Sequence, residues 1–328
     1  MKTVAGILFI AAAIPVWSWS QAPEDGALPP SCAEETAGGA TAANVAGGRL
    51  YYASRPAAGT LFMIRCWSDE SEEEVARKVQ RAFGIAKRWE MILSDRDVRS
   101  ELSQLNDAPC GVAVAIGPEL EAALRLSLAM ARRTNGSFDP TLGPLVRLWR
   151  RTRATGRSPR APEWERARAA SGWRKLAVTR GFATKTVPGM RIDLGGIGKG
   201  IMLDRMAESL REQGLSRYLL SDTSDFLAGD PPPGQRAWIC RAGGRDAELY
   251  REALSTSGGR FQHVCIEGRE STHIIDPATG RGRPCAAAAI IRAATAAEAD
   301  ALATAAYATN REEEKKKIEK KDLHPAEK

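Results

Sequence analysis

Beyond its N-terminal segment the chain has no apolar run near the roughly 20 residues that a membrane span requires, so the mature protein is expected to be soluble. Histidine is scarce, with three in the whole chain, and no Cys-x-x-Cys or Cys/His cluster occurs. Those absences remove the usual zinc frameworks. The six cysteines (Cys32, Cys66, Cys110, Cys240, Cys265 and Cys285) allow no pairing to be assigned, and Cys66, Cys240 and Cys265 sit in apolar strand-like runs as small hydrophobes. Nucleic acid is not the expected partner. The +7 net charge is partly concentrated in Arg147, Arg150, Arg151, Arg153, Arg157 and Arg160, with no aromatic stacking platform interleaved. That stretch reads as a solvated loop; the sharper alternative is a surface favouring an anionic ligand.

What is present begins at the N-terminus. Lys2, an apolar run from Val4 to Val16 and Ser18-Trp19-Ser20 have the form of a secretory signal peptide over residues 1–20. Export to the periplasm or cell envelope is therefore expected, with tethering if the segment is not cleaved. Residues 21–48, rich in Ala, Gly, Pro and Glu, read as a flexible linker. Residues 49–310 form the expected domain, and 311–328 a charged tail.

Within the domain, Leu61 to Trp67 reads as a strand, followed by an amphipathic helix with Val75, Val79, Phe83, Ala86 and Trp89 on one face. Pro118 opens a second helix that Gly136 closes, and a short helix runs through Trp164. Met190 to Leu194 reads as a strand entering a Gly-rich turn, with a helix burying Leu203, Met206 and Leu210 after it. An Ala-rich helix spans about Ala293 to Ala308. Strands and helices mix without a βαβ rhythm, which predicts an α+β fold.

Three motifs carry chemistry. Asp193-Leu-Gly-Gly-Ile-Gly-Lys-Gly200 fails as a Walker loop at Asp193 and Gly200, and as a Rossmann fingerprint at Ile201. It still offers close backbone approach, a helix N-terminus and the mobile charge of Lys199 to an anion. Read blandly, it is a tight strand-to-helix turn. Asp300 and Thr304 lie four residues apart, so their oxygens share one helix face and suit Mg²⁺, although Asp and Thr are also common on an ordinary helix surface. In Thr272 to Gly280, His273 precedes the Asp276-Pro277 turn and is a candidate proton acceptor, although a lone histidine is more often structural. Phe138, in Asn135 to Pro144, either stacks on a ring or plugs the core.

In this order the pieces resemble the ApbE family of FAD:protein FMN transferases. The resemblance rests on Ser100 to Asn106, Gly136 to Leu145 with Trp149, Asp193 to Gly200, Ser255 to Gly258, His273 to Pro277 with Thr279-Gly280, and Ala299 to Thr304. It implies an α+β fold of two interlocked T-fold-like halves forming one domain, with FAD in a groove between loops. It further implies that Ser137, Phe138 and Asp139 line the flavin pocket, that Asp193, Lys199, Ser257 and His273 contact FAD, and that Gly196, Asp300 and Thr304 hold Mg²⁺. His273 would activate a Thr or Ser hydroxyl on an acceptor redox protein. The chain departs from the family pattern at Ala58, Arg96, Thr223-Ser224 and Gly259, where relatives often carry methionine, tyrosine, a glycine-rich pair and aspartate. Flavin binding without transfer, and FAD hydrolysis to FMN and AMP, are the alternatives.

Overall fold

A computed structural model describes residues 42–45, 47–259, 263–266 and 269–309. The expected signal peptide, the charged tail, Cys32 and most of the expected linker lie outside them. In chain order the elements are β1 (Ala42–Val45), β2 (Gly48–Ala57), β3 (Thr60–Ser68), α1 (Glu72–Leu93), α2 (Glu101–Asp107), β4 (Ala113–Ala115), α3 (Pro118–Arg133), α4 (Gly143–Thr155) and α5 (Ala161–Ala169). There follow β5 (Leu176–Thr179), β6 (Phe182–Lys185), α6 (Gly198–Glu212), β7 (Tyr218–Ser221), β8 (Asp225–Ala228), β9 (Trp238–Ala242) and β10 (Arg245–Leu249). The chain continues through β11 (Ala253–Ser257), β12 (His263–Ile266), β13 (Arg269–Thr272), β14 (Ala289–Ala293) and α7 (Ala296–Thr309).

The principal sheet has the order β1-β2-β3-β7-β8-β11-β14, antiparallel throughout. Two chain stretches build it, and the β3–β7 seam, with Ile64 opposite Leu220, interlocks them. Alternation divides its faces: Leu220 and Ala253 enter the main core, whereas Leu219 and Leu254 join an outer cluster closed by Trp238 and Leu249 of the β9–β10 hairpin.

The main core lies between the sheet and α1, α6 and α7. Helix α1 starts at a capping box in which Ser71 and Glu74 exchange side-chain and backbone bonds, and it buries Val75, Val79, Ala82, Ala86, Trp89 and Leu93. Helix α7 is central: the successive residues Ala299, Asp300, Ala301 and Leu302 are all buried, so every side of the helix is covered. Small residues all round let neighbours approach from each direction. Gly200 on α6 meets α7 there, since a Cβ would fall 2.7 Å from the Cα of Ala297.

Four expectations are corrected. The linker is not structureless to residue 48, because Ala42 to Val45 pair with Gly48 to Tyr51 across Gly47, whose φ of +81° makes the turn. The arginine-rich stretch is helical from Gly143 to Thr155: Leu145, Trp149 and Thr152 face inward, and Gly156 at φ +68° ends the helix. Met190 to Leu194 is not a sheet strand but an extended segment, bonded to the side chain of Asn106 and to Pro140. Cys265 is exposed, whereas Cys66 and Cys240 are buried.

Candidate functional site

The site forms where the loop before α6 meets α7 and the ends of β8 and β11. Asp193 closes the turn on itself, its Oδ1 accepting the Gly195 N–H at 2.8 Å. Its other oxygen, Oδ2, accepts from Arg150 at 2.9 Å, and Arg150 also pairs with Asp95. Burial and then the charge of Asp95 push the Asp193 carboxyl up against the pull of Arg150. The Asp193 N–H donates to the Pro140 carbonyl at 2.8 Å, and Gly143 lies so close to Arg191 that a Cβ would stand 2.6 Å from its carbonyl oxygen. The segments 136–143 and 190–196 are thus packed together. Beside them opens a cleft of about 370 Å³ lined by Asp95, Arg96, Val98, Ser103, Arg147 and Arg150, among others.

Lys199 is the electrostatic centre. Its Nζ stands 2.9 Å from Asp225, 3.4 Å from Asp300 and 3.9 Å from Asp222. Burial alone would lower the ammonium, but Asp225, Asp300 and Asp222 together hold it well above its usual value. Asp300 is pushed up to about 7 by burial and by the charge of Asp225. Its Oδ2 also accepts the Gly200 N–H at 3.2 Å, in the first turn of α6.

Asp222 and Asp225 are not among the site residues to which the sequence points. They belong to the β7–β8 turn, where Asp222 Oδ1 accepts the N–H groups of Ser224 and Asp225, each at 2.7 Å. Asp225 also accepts the hydroxyl of Ser255. The Oδ2 of Asp222 is buried and makes no hydrogen bond. Two aspartates and a serine within four residues were the available signal, but an Asx turn explains such a run equally well.

Gly196, Ser257 and Thr304 converge, and Asp300 lies one turn before Thr304 on α7. A Cβ on Gly196 would stand 2.9 Å from Thr304 Cγ2 and 3.0 Å from its Oγ1, and the hydroxyls of Ser257 and Thr304 are 3.4 Å apart. Among the described residues no three His, Cys, Asp or Glu side chains meet as a metal-ligand set. The donors here are a carboxylate, a hydroxyl and a loop backbone, all hard oxygens fitting Mg²⁺ rather than a softer metal. Asp300 is already paired with a cation, the ammonium of Lys199, at 3.4 Å.

The other residues to which the sequence points make contacts of their own. Phe138 is 3% exposed and belongs to the main core. Asp139 clamps a turn: Oδ1 accepts from the Thr141 N–H at 2.8 Å and hydroxyl at 2.6 Å, and Oδ2 from the Trp173 N–H at 3.0 Å. Ser137, half-buried, donates its N–H to Thr134. His273 is half-buried edge-on to Trp149, with ring centroids 6.1 Å apart.

The sequence profile of the ApbE family matches residues 58–326. The FAD:protein FMN transferase of Chlamydia pneumoniae is 29% identical over 246 residues, which are 72% of this chain and 77% of that protein. The FAD:protein FMN transferase of Salmonella typhimurium is 28% identical over 244 residues, 68% of each chain. The crystal structure of the ApbE protein from Thermotoga maritima superimposes with a TM-score of 0.74 at 26% identity, covering 81% of this chain and 89% of that one.

Proposed function

Because this chain belongs to the ApbE family, we propose that it transfers FMN from FAD to a Thr or Ser hydroxyl of an acceptor redox protein, with Mg²⁺ and release of AMP. The observation that carries this reading is the meeting of Asp300 and Thr304 with Gly196 and Lys199 at the N-terminus of α6. A helix N-terminus and an ammonium favour the FAD diphosphate, while Asp300, Thr304 and the Gly196 carbonyl are the residues to hold the ion. When bound, Mg²⁺ neutralises diphosphate charge and polarises the phosphoryl group.

Each protein group then has a stated task. Gly195 and Gly196 carry no side chain, so the diphosphate approaches the main chain closely. Lys199 shares its charge between Asp225, Asp300 and the phosphate oxygens. Asp193, held by Arg150, and Ser257 orient the nucleotide. Ser137, Phe138 and Asp139 shape the flavin side of the groove, Phe138 and Asp139 by fixing its wall. His273 takes the acceptor hydroxyl proton as the oxygen bonds to the FMN phosphorus and the bond to the AMP phosphate breaks, AMP keeping the electron pair. The acceptor is placed outside the cytoplasm with the enzyme, in keeping with the signal-like N-terminus.

Arg96 and Gly259 favour a second reading, a protein that binds FAD without transferring FMN; a third is FAD hydrolysis to FMN and AMP. The test incubates the protein with FAD, Mg²⁺ and a threonine-containing acceptor peptide. AMP release matched by covalently yellow peptide supports transfer. AMP without labelled peptide supports hydrolysis, and tight FAD binding without AMP overturns both catalytic readings.

A further inference from the structure

The helix that carries Asp300 and Thr304 is fixed at its start by a residue of the helix that carries Lys199. Asp204 lies half-buried on α6, one turn beyond Gly200. Its Oδ1 accepts the Ala296 N–H at 2.8 Å and its Oδ2 the Ala297 N–H at 3.0 Å. These are the first amides of α7, which have no acceptor within their own helix. Thr295 Oγ1 takes the next free donor, the Glu298 N–H, at 3.2 Å.

The clamp is reciprocal. Asp204 of α6 caps α7, and Asp300 of α7 accepts the Gly200 N–H in the first turn of α6 at 3.2 Å. Gly200 permits both, because a Cβ there would run into the Ala296 carbonyl. Asp300 stands about one turn beyond the clamped amides and Thr304 about one more. A slide or rotation of the first turn of α7 therefore passes directly to Asp300, which holds Gly200 and Lys199, and to Thr304, which faces Gly196.

We propose that Asp204 is a positioning residue, which sets the register of α7 against the 195–200 loop so that Asp300 and Thr304 meet Gly196 at cation-binding distance. The inference rests on the reading of that site as a divalent-cation site. It is tested by Mn²⁺ titration of the full chain followed by electron paramagnetic resonance, in wild type, Asp204→Ala and Asp204→Asn, with helicity followed by circular dichroism. Leu249→Ala, in the outer cluster, serves as a control of lowered stability. Asp204→Ala is expected to weaken Mn²⁺ binding about tenfold or more. Asp204→Asn, keeping one acceptor oxygen, should fall between, and Leu249→Ala should bind as wild type. Folded Asp204 variants that bind Mn²⁺ as tightly as wild type would overturn the positioning role. A wild type that binds no Mn²⁺ would instead overturn the cation-site reading on which the role depends.

Discussion

The Nζ of Lys199 lies 2.9 Å from the Oδ2 of Asp225, and the same ammonium is the nearest cation to Asp300 and Asp222. One side chain thus compensates three carboxylates whose side chains are at most 3% exposed. Lys199→Ala would leave them facing one another in a poorly solvated pocket. A loss of about 3 kcal/mol in urea unfolding is expected, as for a broken buried ion pair. Excess Mg²⁺ should restore part of it, since the ion would enter an acidic pocket relieved of its ammonium.

The pH dependence has a definite sign. Burial, and then the charge of Asp225, push the Asp222 carboxyl up to about 6 from its ordinary 3.8. An acid raised on folding binds its proton more tightly in the native state. Its contribution to stability is fully present below 3.8 and is lost as pH rises through about 6. Asp222→Asn should flatten the stability profile in that window, measured as urea midpoint against pH. A wild-type slope retained in the variant would contradict the assignment.

Asn106 provides a test of the scaffold. Its Nδ2 donates to the Ile192 carbonyl at 2.8 Å, its Oδ1 accepts the Ile192 N–H at 2.6 Å, and its own carbonyl takes the Lys185 ammonium at 2.5 Å. Asn106→Ala strands two buried backbone groups of Ile192, at a cost of about 3 kcal/mol. Because Ile192 adjoins Asp193, FAD affinity should fall together with the unfolding midpoint. Unchanged stability would mean that water replaces the amide.

Thiol chemistry should separate the cysteines. Cys110, Cys265 and Cys285 are exposed, whereas Cys66 and Cys240 are buried, and burial pushes the Cys66 thiol up to about 12. In the native protein a thiol reagent should label the exposed three rapidly and leave Cys66 and Cys240 protected until denaturant is added. Native labelling of Cys66, read by peptide mass, would contradict the packing of β3.

The sequence disclosed most where one period governs one face. Val75, Val79, Ala86 and Trp89 announced α1, and Gly198 to Glu212 followed the glycine turn as a helix. Asp300 and Thr304 were legible because a spacing of four leaves no choice of face. Other features depend on distant partners. Helix α4 was obscured by its arginines, among them Arg150, whose compensation comes from Asp95 and Asp193, far away in sequence. Met190 to Leu194 has a strand's composition but satisfies its backbone on Asn106 and Pro140 rather than on a ladder. The role of Asp225 lies in its approach to Lys199, which only the β7–β8 turn produces. Ring stacking and core filling look alike in the sequence around Phe138, and its packing is in the main core.

The most direct test is AMP release from FAD as a function of Mg²⁺, comparing wild type with Asp300→Ala. Wild type is expected to release AMP in a Mg²⁺-dependent manner, abolished by a chelator and lost in Asp300→Ala while FAD still binds. Equal turnover by the two proteins, or turnover that survives chelation, would contradict that expectation.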